Sequence, residues 1–153
     1  MRRAVLKIIF MVFAAPAAGI GALAHAADAE REKQVDGMRV YLGVLPSELL
    51  GPKAVAPGEH RGVPKGRGYH HVLIALFDVK TGERITDVEV SARVEDVGRT
   101  VSNEKRLEAM LIARAVTFGN FFAMPGRDLY SIHVKIDRHR YGVSEVTFHY
   151  RHL

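Results

Sequence analysis

The sequence predicts an all-β domain, an antiparallel sandwich of about seven short strands. Three observations predict it. Stretches of alternating apolar and polar residues recur along the chain, clusters of Gly, Pro, Asn and Asp separate them, and no stretch reads as a long helix.

Ahead of the domain, Arg2, Arg3 and Lys7 precede a run of apolar and small residues from Ile8 to about Leu23, which ends in Ala24-His25-Ala26. A basic start, a short apolar run and a small-x-small end form the pattern of a secretory signal cleaved after Ala26. Pro16, Gly19 and Gly21 make the run marginal for the roughly 20 strongly apolar residues of a membrane anchor. Arg2-Arg3 also resembles a twin-arginine export signal. Residues 1–26 are expected to send the chain to the periplasm and to be removed. Residues 27–36 (ADAEREKQVD) are polar and charged and read as a flexible leader, leaving 37–153 as the folded domain.

Within that domain, Met38–Val44 alternates as a first strand, and Leu45–Leu50, with Pro46 near its start, suits one helical turn. Residues 51–68 form a Gly/Pro-rich basic loop, a composition shared by solvated loops and by loops that grip anions. His70–Val79 is a second strand, closed by the turn Lys80-Thr81-Gly82-Glu83. In Ile85–Val94, Val88, Val90, Ala92 and Val94 share one face, while Asp87, Glu89, Ser91 and Arg93 share the other. Lys105–Val116 fits helix or strand, and its strand-dense surroundings favour strand. Residues 119–128 hold Gly119, Asn120, Pro125, Gly126 and Asp128, all turn formers. Leu129–Asp137 and Val143–His152 read as a hairpin around Arg138–Gly142. They point Tyr130, Ile132, Val134 and Ile136, then Val146, Phe148 and Tyr150, inward. Six or seven strands so spaced suggest a sandwich of the immunoglobulin-like sort.

Composition narrows the function. Three of the 22 Lys and Arg residues fall in 1–26, so the remainder carries 19 basic against 17 acidic side chains. That near balance does not suit a nucleic-acid binder. The chain has no cysteine, which excludes a lipoprotein anchor, disulfides and thiolate ligands. It has no phosphate loop after a strand, no nucleophile elbow and no H-E-x-x-H, so it is not expected to be an enzyme.

Metal binding is better supported. Beyond residue 26 stand His60, His70, His71, His133, His139, His149 and His152, with Met38, Met110 and Met124. Imidazole with thioether suits copper, because soft sulfur favours Cu(I) and nitrogen holds both oxidation states. His70 and His71 point to opposite faces of their strand, so only one can join a given site. His133 and His149 are expected outside, facing each other across the last hairpin, either as a chelating pair or, the favoured reading, as an ordinary exposed pair. A histidine at a strand mouth also serves as a hydrogen-bonded rim residue, and methionine also serves as core filling.

Several short motifs share an order. Val40-Tyr41-Leu42 lies in the first strand, His71 opens VLIALFD, Met110 follows, and then come Phe118-Gly119-Asn120 and Leu129-Tyr130-Ser131-Ile132. His139 lies in the last connecting loop. In this series, from about residue 37 to 152, the chain resembles the periplasmic high-affinity ferrous-iron transport accessory proteins. These are immunoglobulin-like dimers that hold copper through histidines and a methionine. The resemblance implies a metal site of His71, Met110 and His139, a homodimer, and an inner-membrane metal transporter as partner. His71 is expected to enter its strand with the inward set and point toward Met110, with His70 facing outward or toward the basic loop; His70, Met124 and Thr117 are additional candidates. Two departures stand out. Thr117 occupies the place, seven residues after Met110, where the family has a histidine, and Leu73 stands where it has a glutamate. The expectation is therefore a periplasmic protein that binds copper, or iron in second place, in metal uptake or handling. The rival expectation is an immunoglobulin-like module that binds no metal and assembles with a membrane-bound partner.

Overall fold

The computed structural model describes residues 31–50, 64, 67–96, 102–126 and 129–151. The expected signal, most of the basic loop, His60 and His152 lie outside them.

The described strands are β1 (Glu32–Val35), β2 (Met38–Pro46), β3 (Tyr69–Asp78), β4 (Glu89–Asp96), β5 (Lys105–Ile112), β6 (Ala115–Ala123), β7 (Leu129–Asp137) and β8 (Val143–Arg151). Every pairing is antiparallel, in the order β1-β2-β3-β6-β5-β4-β7-β8. Helix among the described residues is limited to the 3-10 turns Ser47–Leu49 and His139–Tyr141. None is long and apolar enough to cross a membrane.

One strand joins two half-sheets. The start of β5 pairs with β4 through Lys105, Arg106 and Leu107, and its remainder pairs with β6 from Glu108 to Ile112. The sheet therefore folds over on itself without breaking. At its other end the seam between β1 and β8 is bridged by the Lys33 ammonium, which donates to the Thr147 carbonyl at 2.7 Å and lies 5.6 Å from the Phe148 ring centroid. The all-β expectation holds, with eight strands in a nearly closed sheet rather than about seven in a plain sandwich.

Alternation explains the core. Met38, Val40 and Leu42 of β2, Val72, Ile74 and Leu76 of β3, and Phe118 and Phe122 of β6 line one inner wall. Val90, Ala92 and Val94 of β4, Tyr130, Ile132, Val134 and Ile136 of β7, and Phe148 of β8 line the facing wall. Each large apolar side chain removed from water there contributes about 1.5–3 kcal/mol.

Three expectations are corrected. Residues 32–35, expected in the leader, form β1, because Asp36 (φ 45°) and Gly37 (φ 76°) turn the chain back onto β2. Such an Asp-Gly pair suits a two-residue hairpin. The stretch 105–116 is not one strand but the hairpin of β5 and β6, turned at Ala113 (φ 50°) and Arg114 (φ 68°). Gly119 and Asn120, expected in a turn, lie mid-strand in β6.

Candidate metal centre

Parity decides where each histidine of β3 goes. His70 runs with Val72, Ile74 and Leu76 toward the core, and His71 runs with Leu73, Ala75 and Phe77 onto the outer face of the β2-β3-β6-β5 half. The opposite orientation was expected, with His71 inward. The run Val72-Leu73-Ile74 is apolar on both faces, so alternation alone could not fix its parity.

His71 is nonetheless only 4% exposed on that outer face. Its neighbour across the ladder is Phe121, whose ring stacks on the imidazole at 4.5 Å between centroids and 17° between planes. The rest of the cover comes from Met110 and from the absence of a side chain at Gly119. A Cβ at Gly119 would stand 2.7 Å from His71 Nε2, 3.1 Å from Met110 Cε and 2.7 Å from Leu73 Cδ2. The imidazole nitrogen and the thioether arm thus occupy one small space over a backbone glycine. Met110 itself is 7% exposed.

Thr117 pairs with Met110 across the ladder and shares this face. Its hydroxyl accepts from Arg84 Nη1 at 3.4 Å. The same nitrogen donates to the Val116 carbonyl, and the guanidinium lies 4.6 Å from the Phe77 ring centroid. A cation therefore stands beside the position where the resemblance calls for an imidazole. Leu73 brings an apolar tip to the place of the expected carboxylate. Sequence reasoning passed over Glu108, which is exposed and stands opposite Gly119 in the register. Its signal was the spacing, two residues before Met110 on a strand and hence on the same face.

The other candidates lie apart from this pair. His139 lines an open groove with Asp78, Arg84 and Val88, at the far end of β3 from His71. Its backbone is left-handed (φ 53°), and its amide donates to the Asp137 carboxylate at 2.8 Å. Met124 is fully buried in the core cluster with Phe122, so it fills the interior. His133 and His149 lie on the outer face of the β4-β7-β8 half. They are offset by one rung rather than opposed, since His133 pairs with Thr147 and His149 with Ser131. His133 lies 3.0 Å from the Thr147 hydroxyl through Nδ1 and 3.2 Å from Glu95 Oε2 through Nε2. His149 Nδ1 lies 3.3 Å from the Ser131 hydroxyl.

Among the described residues no three His, Asp or Glu side chains converge as a metal cluster. What the chain brings together is one imidazole and one thioether in a small buried space. That pair fits a soft, low-coordinate ion such as copper better than a hard one.

No protein-family model matches the chain, and neither does any curated protein sequence. Solved structures do. One is a DUF4426 family protein from Pseudomonas aeruginosa, at 15% identity and a TM-score of 0.61, covering 80% of this chain and 93% of that one. A copper-bound variant of FetP from uropathogenic Escherichia coli matches at 14% identity and a TM-score of 0.62, covering 80% and 93%. Copper-reconstituted P19 from Campylobacter jejuni matches at 11% identity and a TM-score of 0.64, covering 79% and 92%. At such identities the likeness is one of fold, and it spans nearly the whole of each of these proteins.

Proposed function

We propose that this chain is a periplasmic copper-binding protein, a divergent relative of the ferrous-iron transport accessory proteins, acting in metal uptake or handling by binding rather than catalysis. The observation that carries the reading is the approach of His71 Nε2 and Met110 Cε over Gly119. The copper named for the FetP and P19 structures of the same fold supports it. Copper comes before iron, since thioether sulfur suits Cu(I) and a hard cation gains little from it. When bound, copper would supply a redox-active centre. The chain's own part is to hold it by the His71 imidazole and the Met110 sulfur and to shield it beneath the Phe121 ring.

One chain offers too few ligands, and His139 lies too far along β3 to join its own His71. We propose that a second copy supplies it. If two copies meet on the outer face of the β2-β3-β6-β5 half, with a two-fold axis across the strands, the far end of one lies over the near end of the other. Leu45 (40%) and Ile112 (41%) are exposed apolar side chains on that face. An inner-membrane metal transporter is the proposed recipient.

The test is copper titration of the purified protein beside a His71→Ala/Met110→Leu double variant. Micromolar or tighter binding that vanishes in the variant supports the reading. Equal failure of both proteins overturns it in favour of an immunoglobulin-like assembly module for a membrane-bound partner. Arg84 against Thr117 and the apolar Leu73 are the observations that favour that second reading.

A further inference from the structure

Four strands carry one rung through the site. Gly43 of β2 pairs with Leu73 of β3, Leu73 pairs with Gly119 of β6, and Gly119 pairs with Glu108 of β5. Residues directly opposed across a ladder share a face, with Cβ positions about 4.5–5.5 Å apart. The place where a Cβ of residue 119 would stand is the place His71 Nε2 and Met110 Cε approach. Glu108 therefore springs from the sheet one strand away from that point, a gap a glutamate side chain spans. Glu32, another carboxylate on this face, sits at the sheet's rim on β1 and pairs with Arg39 at 3.0 Å.

We infer that Glu108 is the carboxylate of the metal site. It reaches the imidazole and thioether from the β5 side of Gly119, while Leu73 occupies the β3 side. The inference rests on the copper reading above and adds to it a ligand and a preference. His71 and Met110 form the buried floor, which suits Cu(I). Glu108 stands exposed at the mouth, and its hard anionic oxygen suits Cu(II). The site can therefore hold either oxidation state, with the carboxylate favouring Cu(II) and the thioether favouring Cu(I).

The experiment titrates the wild-type protein and Glu108→Gln with Cu(II), and separately with Cu(I) under a competing chelator. Glu108→Gln is expected to weaken Cu(II) binding by about tenfold or more and to alter the Cu(II) electron paramagnetic resonance spectrum. Cu(I) affinity should change by less than about threefold, because the imidazole and thioether remain. A second variant, Leu73→Glu in the Glu108→Gln background, returns a carboxylate to the same rung and should restore Cu(II) binding. Wild-type affinity and spectrum in Glu108→Gln would overturn the inference and leave the copper reading standing. Equal loss of both oxidation states would also overturn it, by making Glu108 a structural or purely electrostatic residue. A wild-type protein that binds neither ion would remove the copper reading, and this inference with it.

Discussion

The two outer faces of the folded sheet both present histidines, yet they surround them differently. On the β4-β7-β8 face, His133 sits between Glu95 and Thr147, and His149 sits beside Ser131. Those imidazoles are engaged by oxygen partners on exposed or half-buried strands. On the β2-β3-β6-β5 face, His71 is buried and stacked on Phe121, and a thioether arm shares with it the space over a bare glycine. Counting histidines would rank the first face higher. What separates them is burial and the neighbouring thioether, since a sheltered imidazole beside sulfur suits a soft ion.

The sharpest way to break this contrast is to delete each pair in turn. His71→Ala/Met110→Leu should lower copper affinity by at least about a hundredfold, and His133→Ala/His149→Ala should leave it within about threefold. Competitive titration reads both, and the reverse ranking would make the oxygen-rich face the metal site.

Gly119→Ala comes next. In an ordinary strand that change is neutral or favourable, since glycine weakens strands. Here the added methyl would lie 2.7 Å from both His71 Nε2 and Leu73 Cδ2. Overpacking should cost about 1–3 kcal/mol and push the imidazole off its partner. A lower melting temperature together with weaker copper binding is expected. A gain in stability would show that the space over residue 119 accommodates a methyl group.

A smaller effect, of opposite sign, is expected at the hairpin tip. Ala113 and Arg114 both hold positive φ, which costs roughly 1–2 kcal/mol for each residue with a Cβ. Replacing them by Asn-Gly should stabilise the fold by about 1 kcal/mol or more and leave copper binding unchanged. Chemical denaturation measures the first, and titration the second.

The smallest effect belongs to the β3 turn. The amides of Thr81 and Lys80 donate to the Asp78 carboxylate and hold its pKa below the usual carboxylate value. A depressed folded pKa favours the folded state when the group is ionised. Its contribution is therefore present above about pH 4 and lost as the pH falls through the lowered value. Amide resonances of Lys80 and Thr81 should shift below that pH, and a midpoint at or above the ordinary value would refute the sign.

Much of the fold was legible because alternation and turn chemistry agreed. Leu129–Asp137 and Val143–Arg151 read cleanly, since Tyr130, Ile132, Val134, Ile136 and Phe148 fall at every second position and are buried. Where the two signals parted, the reading failed. Ala113-Arg114 turns the chain without the Gly or Asn that announces such a turn. Gly119-Asn120 carries that announcement within a strand, where glycine makes room for His71. There Asn120 Nδ2 donates to the Arg106 carbonyl, and its Oδ1 accepts from the Phe121 amide, both at 2.7 Å. Asp36-Gly37 was a usable signal obscured by the charged stretch before it. Of the candidate site, the two residue types and their order in the chain are visible in the sequence. The face they share depends on strand parity, which a run apolar on both faces, such as Val72-Leu73-Ile74, conceals.

The Lys33 bridge carries a consequence for how this molecule meets others. It ties together the two rims of the sheet, so a foreign strand seeking open backbone would first have to displace an ammonium already bound to the Thr147 carbonyl. Growth by adding strands is discouraged at this point. A partner would more readily lie flat against one of the broad surfaces than extend the ladder.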